Sequence, residues 1–163
     1  MSWSQRMKKN KMMEIERKFL VTEPLPGYEK YPSHAIEQAY LCTDPVVRVR
    51  RSDEDYYMTY KGRGLLAREE YNLPLNREAY EHLRDKADGI LLTKRRYEIP
   101  LAESGLVIEL DIFSGRYEGL ILAEVEFASL EQAKAFQPPA WFGEEVTESG
   151  LYQNSRLSKG VQI

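Results

Sequence analysis

Residues 14–20 read Glu14-Ile15-Glu16-Arg17-Lys18-Phe19-Leu20, a run in which charged and apolar residues alternate with a period of two. Successive side chains of an extended strand point to opposite faces. Glu14, Glu16 and Lys18 therefore share one face, and Met13, Ile15, Phe19 and Val21 share the other, Arg17 excepted. The same alternation recurs along the chain. Segments near 13–21, 35–42, 46–52, 56–62, 67–73, 90–99, 106–113 and 120–128 are rich in β-branched and aromatic residues and bounded by turn residues. Arg48 and Arg50 oppose Val47 and Val49, and Thr59 and Lys61 oppose Met58 and Tyr60. Arg68 and Glu70 oppose Ala67, Tyr71 and Leu73, although Glu69 interrupts that apolar face. Lys94 and Arg96 oppose Thr93, Tyr97 and Ile99, Glu109 and Asp111 oppose Ile108, Leu110 and Ile112, and Glu124 and Glu126 oppose Ala123, Val125 and Phe127.

Taken singly, each polar face reads as the solvated side of an antiparallel sheet. The set reads differently, because charge is sorted by strand. Acids begin the first segment and fill the last two, bases fill the third, fourth and sixth, and Ser, Thr, Asn and Gln are sparse among them. Eight strands suffice to close a barrel. Closed with the charged face inward, it gathers Lys18, Arg48, Arg50, Lys61, Arg68, Lys94 and Arg96 with Glu14, Glu16, Glu70, Glu109, Asp111, Glu124 and Glu126 around one lumen. Uncompensated buried charge costs several kcal/mol per ion. Such a lumen calls for ligands: an anion for the basic wall and a divalent cation for the acidic one. Helices must then cover the apolar outside.

The remaining features fit one mainly β domain of about eight antiparallel strands with peripheral helices, over 13–163, preceded by a basic tail over 1–12. The 163 residues carry 23 basic and 26 acidic side chains, a net charge of −3, and 42% apolar residues. This composition excludes a disordered polymer and a membrane-spanning helix, and it disfavours general nucleic-acid binding. The single cysteine, Cys42, suits a cytoplasmic location and is expected to be an inert core thiol. Asn76 is expected to cap a helix running to about Ala87, ended by Asp88-Gly89, and Ser129 with Gln132 has the capping-box spacing for a helix that Pro138-Pro139 stops. A weak helix is expected from about Ser149 to Ser158. His34, expected in a loop, and His82, on a helix, are read as surface residues, and Gly62-Arg63-Gly64 as a β-turn.

In their order along the chain these residues resemble the CYTH, or triphosphate tunnel metalloenzyme, superfamily: Glu14/Glu16/Lys18 matches its ExExK signature, followed by Arg48/Arg50, Lys61, Arg68/Glu70, Lys94/Arg96, Asp111 and Glu124/Glu126. Residues 138–147, Pro-Pro-Ala-Trp-Phe-Gly-Glu-Glu-Val-Thr, further resemble the short bacterial members. One departure is Gln153, after Tyr152, where relatives often carry a lysine. The resemblance implies an eight-stranded antiparallel tunnel that binds a triphosphate and Mg²⁺ or Mn²⁺.

On this reading Lys18, Arg48, Arg50, Lys61, Arg68, Lys94 and Arg96 bind phosphate, arginines as two-pronged forks and lysines as point charges. Glu14, Glu16, Glu124 and Glu126 are hard oxygen ligands for the metal, and Asp111 is a further ligand or an arginine's partner. Tyr40, in Gln38-Ala39-Tyr40-Leu41, is the expected proton acceptor, as the resemblance also suggests, with Lys18 as its competitor. The favoured function is hydrolysis of the terminal phosphate of inorganic triphosphate. Alternatives are a class IV-type adenylyl cyclase, a thiamine triphosphatase with an aromatic cradle from Tyr56, Tyr57 and Trp141, and a non-catalytic polyphosphate or nucleotide binder. A homodimer is a further expectation, since outer apolar strands are available to pair.

Overall fold

The computed structural model describes residues 13–163; the basic tail expected over 1–12 lies outside the described residues. The strands are β1 (Glu14–Leu20), β2 (Ser33–Thr43), β3 (Val46–Ser52), β4 (Asp55–Lys61), β5 (Ala67–Arg68), β6 (Glu70–Leu75), β7 (Asp88–Pro100), β8 (Val107–Ser114) and β9 (Ile121–Glu126). The helices are α1 (Arg77–Arg84), α2 (Leu130–Ala135) and α3 (Asn154–Leu157). All neighbouring strands are antiparallel, in the order β5-β1-β9-β8-β7-β2-β3-β4-β6.

The two outermost strands of that order, β5 and β6, are one segment interrupted only at Glu69. Arg68 pairs with Glu14 of β1, while Glu70 pairs with Lys61 of β4, so the sheet returns on itself as a nearly closed barrel. The expected eight segments thus become nine strands because the fifth kinks at Glu69 to serve both ends of the ring. Closure of this kind leaves few unpaired edges.

The barrel is inverted, with its main apolar layer on the outside. Ile15, Val21, Ile99, Ile108, Leu110, Ala123, Val125 and Phe127 bury their side chains under α2 and the chain around Phe136, Trp141 and Phe142. Phe19 stacks on Phe142 at 4.9 Å and Phe136 at 6.4 Å between centroids. A second cluster under α1 joins Ala39, Val49, Tyr56 and Tyr80. A third closes one end of the barrel, where Tyr40, Leu92, Phe113, Leu122 and, from the turn between β8 and β9, Tyr117 meet Val146 and Leu157 of the C-terminal segment.

That segment is tied down by close backbone approaches. Gly143 donates to Leu20 O at 2.7 Å, and a Cβ there would stand 2.7 Å from the same oxygen. Ile90 donates to Ser158 O at 2.7 Å, and a Cβ on Gly89 (φ 71°) would sit 2.1 Å from it. Glycine is required at both places.

Arg17, the charged residue on the apolar face of β1, is the rivet of this outer layer. Its guanidinium donates to both Glu145 carboxylate oxygens (2.6 and 2.9 Å) and to the carbonyls of Ala133 and Phe136 (2.8 and 3.0 Å). The Arg17 hydrogen bond holds the Glu145 carboxyl below its ordinary value. A carboxyl lowered in the folded state adds stability above its unfolded value and loses it as pH falls through the folded one. Arg17→Ala is expected to cost about 2 kcal/mol in urea unfolding at pH 7, from lost charged hydrogen bonds to partly buried acceptors. The difference from wild type should narrow as pH falls below the ordinary glutamate range.

The helices correct several expectations in detail. Asn76 Oδ1 accepts from Ala79 N at 2.7 Å as predicted, but α1 ends at Arg84 and Asp88-Gly89 open β7 instead of closing the helix. Ser129 Oγ accepts from Gln132 N, while Gln132 Oε1 reaches back to Ala128 N, one residue before the cap. The last helix is only 154–157, because Gly150 at φ 71° and turns through Ser149 and Gly150 occupy its expected first half. His34 lies in β2, not in a loop, with Nδ1 2.7 Å from Asp53. Cys42 is exposed, not a core thiol: a bulge between Tyr40 and Cys42 reverses the alternation and turns the thiol outward. Among the described residues no helix is long and apolar enough to cross a membrane.

Candidate active site

Period-two alternation on a closed ring converts nine local patterns into one shared interior. A cavity of about 270 Å³ lies inside the barrel. Of the residues predicted from sequence, Glu14, Glu16, Lys18, Tyr40, Arg48, Arg50, Lys61, Arg68, Arg96, Glu124 and Glu126 line it. Lys94 and Asp111 do not appear on its wall; they are packed behind it.

The lining is an interlocked set of opposite charges. Lys61 Nζ donates to both oxygens of Glu14 at 2.9 and 3.0 Å, and Arg68 Nε stands 3.9 Å from Glu14. Lys18 Nζ lies 3.4 Å from Glu124 and donates to Tyr152 O at 3.2 Å. Arg96 spends its fork on Asp111 (2.7 and 2.8 Å), with Nη1 on Glu109 at 2.7 Å and Nη2 3.4 Å from Glu124. Arg50 donates Nε to Gln38 at 2.7 Å and Nη1 to Tyr57 at 3.3 Å.

Asp111, one of the two roles left open by the sequence, is an ion-pair partner in this arrangement. Both oxygens are occupied by Arg96 and by Lys94 Nζ at 2.7 Å, and the side chain is 0% exposed. Burial alone would raise its carboxyl, but Arg96 and Lys94 hold it below the ordinary value. Burial pulls the Lys94 ammonium down to about 7, with Arg96 adding to the effect. Lys94 also donates to Asn154 Oδ1 at 3.2 Å, tying α3 to the barrel.

The acidic wall carries the opposite strain. Burial, then the neighbouring Glu14 and Glu124, push the Glu16 carboxyl up to about 8. Glu14 is raised by burial, while Glu70 beside it, against the effect of burial, is lowered to about 2 by Lys61 and by a hydrogen bond from Glu14. Against burial, Lys18 and Arg96 hold Glu124 well below the usual range. The glutamates of this wall are therefore crowded closely enough that Glu16 keeps its proton at neutral pH. Among the described residues no three carboxylates or histidines yet converge as a finished metal centre. The donor set still fits a hard divalent ion: it is all oxygen, it is crowded, and Glu124 Oε1 is buried without a hydrogen-bond partner. The basic wall has its own unspent group, the buried Nε of Arg48.

Several lining residues were not singled out by sequence: Asn72, Glu98, Asn154 and Ser155. Asn72 and Glu98 are in step with Glu70 on β6 and Arg96 on β7, so alternation alone could have found them, as it found Glu109. Asn154 and Ser155 reach the lumen only because α3 folds over the barrel end. The aromatic cradle is not assembled: Tyr57 lines the cavity, but Tyr56 packs under α1 and Trp141 lies in the outer layer.

The model of the CYTH domain family matches residues 12–160. The chain is 41% identical over 153 residues to the inorganic triphosphatase of Nitrosomonas europaea, covering 92% of this chain and 99% of that relative. It is 35% identical over 152 residues to the inorganic triphosphatase of Acetivibrio thermocellus, covering 90% and 93%. The crystal structure of the inorganic triphosphatase NE1496 superposes with a TM-score of 0.69 at 38% identity, covering 92% of this chain and 97% of that one. The Hippeastrum protein HpAC1, described as revealing a dominant triphosphatase activity, shares the fold at a TM-score of 0.56 and 15% identity, covering 74% and 82%.

Proposed function

The chain belongs to the CYTH family, and from that premise we propose that it is a divalent-metal-dependent inorganic triphosphatase that releases the terminal phosphate inside the barrel. One observation carries the reading. One cavity is lined by both walls: on the basic one stands a buried donor with no hydrogen-bond partner, Arg48 Nε, and on the acidic one a buried acceptor with no hydrogen bond, Glu124 Oε1, which Lys18 Nζ approaches at 3.4 Å. Unpaired buried polar atoms are costly and rare, and a polyanion with its counter-cation satisfies both at once.

Arg48, Arg50 and Arg68 grip successive phosphate oxygens, and Lys18 and Lys61 exchange their present partners, Glu124 and Glu14, for substrate. Glu16, Glu124 and Glu126 hold Mg²⁺ or Mn²⁺, with Glu14 beside them. A bound divalent ion neutralises phosphate charge and polarises the bond to be broken. Tyr40, which lines the cavity, takes the proton of the attacking water, and Lys18 binds phosphate. Arg96, Lys94 and Asp111 fix the wall instead of touching substrate. Residues 13–163 act as one unit, in the cytoplasm, with a small triphosphate and not a nucleic acid as partner.

Purified protein given inorganic triphosphate, ATP and thiamine triphosphate with Mg²⁺ or Mn²⁺ is expected to release phosphate from the first, with rates on the others lower by tenfold or more. Cyclic AMP from ATP, or no turnover of inorganic triphosphate with either metal, would overturn the proposal.

A further inference from the structure

Gln38 is a fully buried polar side chain on β2, 0% exposed, that the proposed chemistry does not use. It is absent from the cavity wall, yet its amide joins two groups that are on it. Gln38 Oε1 accepts from Arg50 Nε at 2.7 Å, and Gln38 Nε2 donates to Tyr40 Oη at 3.2 Å. We infer that Gln38 is a positioning residue that couples the phosphate-binding Arg50 to the orientation of the Tyr40 hydroxyl. The inference rests on the triphosphatase reading and deepens it.

The argument is one of hydrogen-bond polarity. Arginine is only a donor, whereas a carboxamide has one accepting and one donating end. Rotating the Gln38 amide by half a turn would set its N–H groups against the Nε–H of Arg50, so Arg50 dictates which end faces it. The other end must then present N–H to Tyr40. A tyrosine oxygen that receives this bond has its own proton turned away from Gln38, while Arg48 hydrogen-bonds the same hydroxyl from the adjacent strand. A neutral amide does this without adding charge to a wall whose cations are meant for phosphate. Register keeps the parts together: Gln38 is paired with Arg50 and Tyr40 with Arg48 across β2 and β3. Arg50 is held from its other side by Tyr57 Oη at 3.3 Å, so Gln38 is one of two fixed points for that guanidinium. A merely structural glutamine would need only to fill volume and satisfy its own amide.

Two variants separate these roles. Gln38→Met keeps the volume and removes both hydrogen bonds; Gln38→Glu keeps the acceptor for Arg50 and removes the donor to Tyr40. Each is measured alone and with Tyr40→Phe for kcat and KM on inorganic triphosphate, and for triphosphate binding by calorimetry. Thermal unfolding identifies which variants are folded. Gln38→Glu is expected to lower kcat at least tenfold with KM within about threefold of wild type, and Gln38→Met to lower kcat similarly while weakening triphosphate binding about tenfold. In the Tyr40→Phe background, neither should lower kcat further, since groups acting as a unit are not additive. Folded Gln38 variants with wild-type kcat and binding, or losses that add to those of Tyr40→Phe, would overturn the inference and leave the triphosphatase reading intact. A wild-type protein that binds triphosphate without hydrolysing it would sink that reading, and with it the Tyr40 half. Weaker binding by Gln38→Met would then still support the Arg50 half.

Discussion

Glu16→Gln is expected to reduce metal-dependent release of phosphate from inorganic triphosphate by about a hundredfold or more, while the melting temperature of the metal-free protein stays the same or rises. The two halves of this expectation come from one fact. In the metal-free protein burial and the neighbouring carboxylates push Glu16 up to about 8, so at pH 7 it carries its proton and a neutral amide imitates it. A metal ligand, by contrast, must be ionised, and glutamine cannot be. The loss of several kcal/mol of charge stabilisation at a phosphoryl group corresponds to two or more decades in rate, at about 1.4 kcal/mol per decade.

The linkage has a definite sign. An acid whose value is raised on folding holds its proton in the native state over a window in which the unfolded chain has lost it. For Glu16 that window runs from the ordinary value of 4.5 to about 8, and metal-free stability drains away as pH rises through it. A divalent ion must displace the proton. Binding Mg²⁺ or Mn²⁺ at pH 7 should therefore release about one proton, and affinity should climb with pH until about 8. Calorimetry in buffers of different ionisation enthalpy measures the proton directly. A Glu16→Gln protein that keeps both its turnover and its metal-induced rise in melting temperature would remove Glu16 from the ligand set.

Asp111→Ala is expected to destabilise the protein by about 3–5 kcal/mol, because it leaves Arg96 and Lys94 buried with a missing partner. That range is a large fraction of the stability of a domain. The effect should be present without any metal. If Asp111 instead served the metal from the cavity wall, its removal would leave metal-free urea unfolding nearly unchanged and act only on metal affinity. Unfolding of the variant with and without Mn²⁺ distinguishes the two.

Much of the fold was legible because one rule, alternation with period two, is local. Glu14, Glu16 and Lys18 must share a face once residues 14–20 are extended, whatever surrounds them. The rule also flagged its own exceptions. Arg17 breaks the apolar face of β1 because it rivets the C-terminal layer, and Glu69 breaks that of its segment where β5 gives way to β6. Both are read as blemishes until the partner, more than a hundred residues away for Arg17, is in view. Alternation failed where the chain inserts a residue: the bulge after Tyr40 turned Cys42 outward, and nothing in Leu41-Cys42-Thr43 signals it.

The candidate site divides in the same way. Residue type and face came from the sequence, so the basic and acidic walls could be listed in order. Depth did not. Lys94 and Asp111 obey the same alternation as Arg96 and Glu109, yet they lie behind the wall, paired with each other across β7 and β8, and Asn154, from far along the chain, meets Lys94 there. Nor could alternation reveal which donors are already spent, as all of those of Arg96 toward Asp111 and Glu109 are, and which stand free, as Arg48 Nε does.

By itself, then, the amino-acid order determined that this chain makes charged-faced antiparallel strands, since side-chain direction follows from backbone geometry alone. Ring closure decided that those faces look inward, and with it which charges pair, which keep a proton and which await a ligand. These depend on distances between strands remote in sequence and on the loss of water between them, and electrostatic interaction is strong only where both are settled.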